Sequence, residues 1–449
     1  RCGVAADAIR SLARRFAGAR TAACYGRLGS CRGSFATLTN VLIEALNIVT
    51  GRFGEPGGWI TGASPFRRGA PPRSVYQQFG TQQPYGEARS RIGGLPLLSG
   101  FQPGGTLADD ILTPGEGQLK ALFLDSGNPV LAYPGSRKID EALSRLDLLV
   151  ALDFYVNDSA RHAHYVLPAP TFFERADLND IFSVNTPRPW LQYTDAVIPP
   201  VGESRLELEI YNELLVRTGR KRLYPEADGN AEAAIERMMD KLLEDAPAGD
   251  AVGGLSVERL REEFPNGYRF AEAQDARGSW DRVMHPDGRP RLWGEIIAGE
   301  AQRLQAAASQ PVDRRLKLFG RRKLRSFNSW MHNDMRIVRS DRPTLLMHPT
   351  DAMERQIASG GRVRVVSDHG EIEVEVEVSD SVVAGSVNYP HGWGHKGGWR
   401  VANSLPGRNV NELASPDPAD WEQISGMCLI DGVPVEVTPL GAHLGAAAE

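Results

Sequence analysis

The chain has 449 residues, 41% of them hydrophobic and 24% charged, which is enough for two or three domains with substantial cores. A formal net charge of -5 gives no general reason to expect nucleic acid or an anionic membrane as partner, and no apolar stretch approaches the roughly 18 residues that a bilayer crossing needs. The opening Arg1-Cys2-Gly3-Val4 lacks a methionine and any signal peptide, so the chain reads as a fragment or a processed product. Cys2, Cys24, Cys31 and Cys428 match no compact zinc or iron-sulfur spacing and no dense disulfide framework, so each reads as a reduced, partly buried thiol.

Residues 1–60 read as the end of an α/β domain. Ala6 to Phe16 places Ile9, Leu12 and Phe16 on one helical face, and Thr39 to Val49 does the same with Leu42, Leu46 and Val49 before Gly51. Between them, Ala22 to Ser30 is a short apolar run turning into a glycine loop, which suits a strand whose carboxyl end faces a ligand, or an ordinary turn. Residues 61–115, rich in Gly, Pro, Ser and Gln, form an irregular excursion; a stretch this long is either a surface loop with a functional reason or a linker.

Residues 116–220 read as a second α/β domain. Leu119 to Asp125 and Leu148 to Asp153 are near-continuous apolar strands that belong in the middle of a parallel sheet, and Ser136 can cap a helix between them carrying Ile139, Leu143 and Leu146. Both strands end in an aspartate followed by a polar loop, and ligands on open α/β sheets bind outside the carboxyl ends of strands. Residues 221–335 form an accessory or bridging region. Its basic run of Arg314, Arg315, Lys317, Arg321, Arg322, Lys323 and Arg325 either serves phosphates or is a solvated face.

Residues 336–449 change grammar and predict a small β-barrel. Thr350 can cap a helix over 351–358, and strands follow at Arg362 to Ser367, Glu371 to Val378 and Ser386 to Tyr389. Glu371, Glu373, Glu375 and Glu377 alternate with Ile372, Val374, Val376 and Val378, which marks a half-exposed strand and not a catalytic carboxylate cluster.

Four stretches carry a resemblance. They are Asn40 to Asn47 running on to Thr50-Gly51 and Pro56-Gly57-Gly58; Gly127-Asn128-Pro129 with Leu149 to Asp153, Asn157 to Ala160 and Val166 to Ala169; Arg322 to Asn333; and His348 to Ala352, Val363 to Gly370, Pro390 to His395, Asn411 to Leu413 and Gly432 to Val437. In order and spacing, over nearly the entire chain, these resemble the C-terminal portion of the dimethyl sulfoxide reductase superfamily of molybdopterin oxidoreductases. That superfamily includes formate dehydrogenases, nitrate reductases and thiosulfate reductases. The resemblance implies α/β, parallel-sheet, Rossmann-like domains followed by a C-terminal double-psi β-barrel domain that binds molybdopterin dinucleotide. It implies molybdenum or tungsten held by a bis(molybdopterin guanine dinucleotide) as cofactor.

Carried over by position, Gly26, Leu28 and Gly29 resemble the loop that touches one dinucleotide, and Ser126, Gly127 and Asn128 resemble the loop under the other. Asp153 and Asn157 stand at its nucleotide end, where Asp153 can accept from a guanine or can cap the following turn. Ser326, Asn328, His332 and Asn333 match a pterin-facing loop, while His391, Trp393 and Asn411 sit where the barrel closes over the cofactor. His391 can instead brace its turn, and Trp393 can be a core aromatic. Near the C-terminus, where relatives often carry a Lys or Tyr, Leu429-Ile430-Asp431-Gly432 has no cation.

The resemblance places the metal ligand and a [4Fe-4S] cluster upstream of the matched part, so no catalytic residue and no metal ligand is assigned in this chain, Cys24 and Cys31 included. It implies an electron-transferring enzyme acting on a small molecule such as formate, nitrate or a sulfur or arsenic oxyanion, with an iron-sulfur or other electron-transfer partner. Its compartment is cytoplasmic, or periplasmic with an export signal upstream. A second hypothesis is a non-catalytic scaffold subunit that keeps the fold, and a third is a cofactor-binding remnant that needs its missing half to fold.

Overall fold

The computed structural model describes residues 3–60, 62, 65, 85–98, 101–179, 186, 188–227, 229–244, 246–271, 279–280, 283 and 285–440. Much of the excursion expected after residue 60 lies outside the described residues. Chain contacts group into two units: residues 1–27, 40–82 and 167–298 in the first, and 28–39, 83–166 and 299–449 in the second.

In the first unit the helix Ala6–Gly18 forms as its periodicity predicts, yet it buries none of its residues, and Ile9 and Leu12 stay exposed. The strand expected near Ala22 does not form. The side-chain amide of Asn47 takes both backbone groups of Cys24, accepting from its N–H at 2.9 Å and donating to its C=O at 2.8 Å. One asparagine thus satisfies the polar groups that a neighbouring strand would otherwise have to pair. The core of this unit gathers Leu191, Leu243 and Leu260, all fully buried, around the helices Ala231–Leu243 and Val257–Glu262.

The second unit begins with a hairpin, β1 (Tyr85–Arg89) and β2 (Pro96–Leu98), inside the stretch expected to be irregular, and a short helix α1 (Leu107–Leu112). The β-α-β unit follows as β3 (Ala121–Asp125), α2 (Pro129–Ala132), α3 (Ser136–Ser144) and β4 (Leu148–Leu152), with β3 and β4 parallel and Asp125 opposite Leu152. β5 (Tyr165–Leu167) completes a sheet ordered β3-β4-β5. Only β4 is central and buried. β3 lies at an edge with alternating exposure, so its apolar run does not mark the interior position expected of it. Ile139, Leu143 and Leu146 pack under the sheet as their spacing predicts.

The chain then enters a closed barrel of β6 (Leu316–Arg321), β7 (Leu345–Met347), β8 (Arg362–Val366), β9 (Glu371–Val378), β10 (Ser386–Pro390) and β11 (Val433–Pro439), ordered β6-β10-β7-β9-β8-β11. β6 pairs parallel with β10, β7 pairs parallel with β9, and the remaining neighbours are antiparallel; this mixed closure is consistent with a double-psi barrel. Ile372, Val374 and Val376 point into the core, so the period-two reading of β9 holds. β6 begins before residue 336, inside the basic stretch assigned to a bridging region. Its inward Leu316 and Leu318 are fully buried, and the cations alternate outward between them.

Leu318 faces Val387 on one side and Val433 on the other, so it belongs to both of β6's ladders. Leu318→Ala is expected to lower barrel stability by about 2–5 kcal/mol in urea unfolding followed by barrel tryptophan fluorescence; a loss below about 1 kcal/mol shows that the site collapses without leaving a cavity.

Candidate functional site

A cavity of about 350 Å³ opens within the second unit where the loop after β3 meets the barrel loops. Its lower wall is Ser126, Gly127 and Asn128 with the first turn of α2. Its upper wall is Gly320 and Arg322 after β6, Asn328 to Trp330, His391 and Gly392 after β10, and Val410 and Asn411; Arg32, Ile430 and Asp431 close one side. Such a volume is in the ordinary range of small-molecule sites.

The backbone around it is held in conformations that few residues adopt. Ser126 (φ 54) and the consecutive Phe327 (φ 44) and Asn328 (φ 62) are left-handed non-glycine residues, and such strain concentrates at ligand sites. At Gly392 (φ +82) a Cβ would lie 2.1 Å from the Asn328 carbonyl oxygen, so only glycine lets the two loops touch.

Six of the residues expected from the resemblance therefore line one cavity: Ser126, Gly127, Asn128, Asn328, His391 and Asn411. Asn411 also serves the frame, since its Nδ2 donates to the Leu131 carbonyl at 2.7 Å and fixes α2. Asp153 and Asn157 lie behind the Ser126–Asn128 loop. Asn157 Nδ2 donates to Asp153 Oδ2 at 2.9 Å and to the Gly127 carbonyl at 3.3 Å, while its Oδ1 accepts from the Ser159 and Ala160 amides. Asp153 is buried, which pushes its carboxyl up, and its Oδ1 accepts from the Tyr155 amide at 2.9 Å; it caps the turn and keeps lone pairs free.

The remaining expected residues do not reach the cavity. Ser326, His332 and Trp393 are buried behind its upper wall, and Asn333 Oδ1 accepts from the Ala402 amide at 2.9 Å as a loop brace. Trp393 is wholly enclosed, its ring 4.4 Å from that of His332 and its indole N–H without an acceptor, which fits the core-aromatic reading. Leu28 and Gly29 are exposed in the second unit and Gly26 belongs to the first; none of the three lines the cavity.

Behind the upper wall runs a buried chain of hydrogen bonds. His332 Nε2 meets Ser326 Oγ at 3.0 Å, His332 Nδ1 meets His395 Nε2 at 2.8 Å, and His395 Nδ1 meets Asp158 Oδ2 at 3.0 Å. Asp158 Oδ1 also accepts from the amides of Lys396 and Gly397 at 2.6 and 3.1 Å, and Oδ2 from Asn128 Nδ2 at 3.2 Å.

Three further cavity residues are assigned no role in the motif reading, although Arg322 opens its third stretch. Arg32 reaches Asp431 across 399 positions of sequence, Nη1 to Oδ2 at 2.8 Å, while Asp431 Oδ1 accepts from the Gly320 amide at 2.7 Å. The 429–432 stretch, which has no cation of its own, is thus joined in space by Arg32, anchored on its aspartate. Arg322, from the basic run, donates to Asn328 Oδ1. Burial and then the neighbouring Arg32 hold the Arg322 guanidinium below its ordinary value, and burial with both arginines pushes His391 down to about 4. Two guanidiniums, one of them paired with Asp431, thus line the cavity beside His391. Three other cations of the run form ion pairs elsewhere, Arg315 and Lys317 on Asp313 and Lys323 on Asp341, and Arg321 donates to the Thr344 carbonyl. Among the described residues no cluster of three or more His, Cys, Asp or Glu is placed to hold a metal ion, and no helix is long and apolar enough to cross a membrane.

An α/β sheet followed by a closed six-stranded barrel, with a cation-lined cavity where their loops meet, defines the class. Residues 34–217 match the family described as Molybdopterin oxidoreductase and residues 316–428 match the Molydopterin dinucleotide binding domain; the chain belongs to the molybdopterin oxidoreductase superfamily of dimethyl sulfoxide reductases and formate dehydrogenases. It is 25% identical over 439 residues to a trimethylamine-N-oxide reductase of Haemophilus influenzae, covering 89% of this chain and 52% of that protein. It is 25% identical over 434 residues to a dimethyl sulfoxide/trimethylamine N-oxide reductase of Cereibacter sphaeroides, covering 87% and 51%. The chain thus spans about half the length of these curated relatives. The solved structure of acetylene hydratase from Pelobacter acetylenicus superposes with a TM-score of 0.69 over 97% of this chain and 63% of its own; at 17% identity this shows the fold alone.

Burial, with its neighbours' positive charge, pushes His332 down to about 3 and His391 to about 4 from an ordinary 6.5. The unfolded chain therefore binds protons that the folded chain refuses, so stability is full above pH 6.5 and falls as pH drops toward 4, on the order of 1.4 kcal/mol per pH unit for each ring. Urea midpoints measured from pH 7.5 to 4.5 are expected to show this slope, reduced by about one proton in His391→Gln; an unchanged slope in that variant means the ring titrates normally.

Proposed function

We propose that this chain is the C-terminal, dinucleotide-holding part of the catalytic subunit of a bis(molybdopterin guanine dinucleotide) oxidoreductase. The observation that carries the reading is the cavity lined by Arg32 and Arg322, with glycine backbone at 127, 320 and 392, of which Gly392 admits no side chain against the Asn328 carbonyl. A pterin phosphate needs fixed cations and amides, and its heterocycle needs amide and imidazole partners; Asn128, Asn328 and neutral His391 supply these. The donor set therefore fits the group that the family binds.

In this reading Ser126, Gly127 and Asn128 support the cofactor from below, Arg32 and Arg322 hold its anionic part, and Asn328 and His391 orient its ring. Asp153 accepts from the guanine through the lone pairs left by Tyr155 and Asn157. Ser326, His332, Asn333, Trp393 and Asn411 act on the cofactor indirectly, by fixing the loops. When bound, the cofactor supplies two-electron chemistry at molybdenum or tungsten; the residues of this chain bind it, orient it and keep water from its anionic face. Formate, nitrate and sulfur or arsenic oxyanions are the substrate classes proposed, with an iron-sulfur protein as electron partner.

The test is the molybdenum, tungsten, iron and guanine nucleotide content of the protein expressed from its complete reading frame in a host that assembles the cofactor. Molybdenum or tungsten together with guanine nucleotide is expected, whereas iron alone moves the reading to a scaffold subunit. In the same preparation Asp153→Ala is expected to weaken nucleotide retention by roughly 1–3 kcal/mol, through the guanine donors left unpaired; unchanged retention removes Asp153 from the site.

A further inference from the structure

The buried chain behind the cavity has an arrangement that loop bracing alone does not require. Ser326, His332, His395 and Asp158 form an unbroken line of proton-bearing groups, and the His332 ring, the His395 side chain, Asp158 and Ser326 are each at least 98% buried. Two imidazoles bonded nitrogen to nitrogen can be satisfied in two ways. With both rings neutral and Asp158 ionised, every bond points toward the carboxylate: the Ser326 hydroxyl donates to His332 Nε2, His332 Nδ1–H to His395 Nε2, and His395 Nδ1–H to Asp158. With one proton more, the first two bonds reverse, and His395 becomes an imidazolium paired with the Asp158 carboxylate.

We propose that Ser326, His332, His395 and Asp158 are a relay that stores one proton beside the cavity, and that Asn128 in the cavity wall responds to its charge.

The step balances without any other reactant. A hydronium proton, whose water is left behind, adds to Ser326 Oγ as the original hydroxyl proton passes to His332 Nε2; the His332 Nδ1–H bond breaks as a His395 Nε2–H bond forms. His332 ends neutral with its proton on the opposite nitrogen. Ser326, itself buried, is the end of the line whose chain neighbours Arg325 and Phe327 are exposed, so we place the entry there. Asn128 is the end of the line: its amide donates to the oxygen that His395 Nδ1 also faces, so it feels the charge and cannot pass the proton on.

The surrounding charges favour His395 as the store. His332 faces His391, Lys323 and His395, all of which oppose a second proton on its ring, and burial opposes it more. His395 faces His332, the Trp399 ring and the Asp158 carboxylate. Asp158 has no second carboxylate among its hydrogen-bond partners, and the Lys396 ammonium beside it is taken by Glu412 at 2.7 Å. The relay stands on these residues whatever the cavity binds.

The experiment is a pH titration, from 9 to 5, of the full chain with 15N-labelled histidine and asparagine, read by NMR. The two rings identify themselves by the scalar coupling across their shared N–H···N bond, so no variant is needed to assign them. The expected result is one midpoint at which His395 gains a proton, His332 moves its proton from Nδ1 to Nε2 while staying neutral, and the Asn128 side-chain amide shifts. Asp158→Asn is expected to leave the Asn128 side-chain amide unmoved across the titration, since the carboxylate that couples it to the His395 ring is gone. A His332 ring that keeps one tautomer over the whole range, or an Asn128 amide that does not move at the His395 midpoint, overturns the proposal.

Discussion

The second unit is organised around one buried carboxylate. Asp158, in the loop after β4, accepts from the amides of Lys396 and Gly397, from His395 and from Asn128, and so ties the α/β sheet to the barrel loop after β10. An ionised carboxylate taken out of water is tolerated only when its lone pairs are filled, and here four donors fill them. They lower the carboxyl's pKa although burial raises it. Because Asn128 and the 391–397 loop are both partners, the lower and upper walls of the cavity are set by the same atom group. The second clasp, Asp431 on Arg32 and on the Gly320 amide, fixes the side wall in the same way.

The parts legible in the sequence are those whose pattern is local. The alternation of β9, the apolar run of β4 and the polar loop after β3 all announce their surroundings within ten residues, and the structure places them accordingly. What was hidden depends on distance or on side-chain direction. Nothing in Arg32 marks it as the partner of Asp431, and Asp431 before Gly432 looks like any solvated turn. β6 was masked by its own cations, which alternate outward around Leu316 and Leu318. His332 belonged to a recognisable motif, but a motif does not say which way an imidazole points, and this one turns away from the cavity toward Ser326 and His395.

The relatives frame what the fold can decide. Reductases of N-oxides and sulfoxides match along most of this chain, and a protein named as a hydratase shares its fold. A fold common to such names does not by itself decide the reaction that a member performs. Around the cavity the described residues offer amides and guanidiniums, while Ser326, His332, His395 and Asp158 are buried behind its upper wall.

The two sheets of the second unit also differ in how they treat their edges. The barrel closes on itself, so every strand has a neighbour on each side. β3 ends its sheet, and Phe123 on it is about half exposed. Among the described residues the unpaired N–H and C=O groups of this edge stand beside an exposed aromatic, and such an edge is where a further strand pairs, which the closed barrel offers nowhere. A lysine placed outward on β3 is accordingly the change that blunts this edge without touching the cavity, since no residue of the strand lines it.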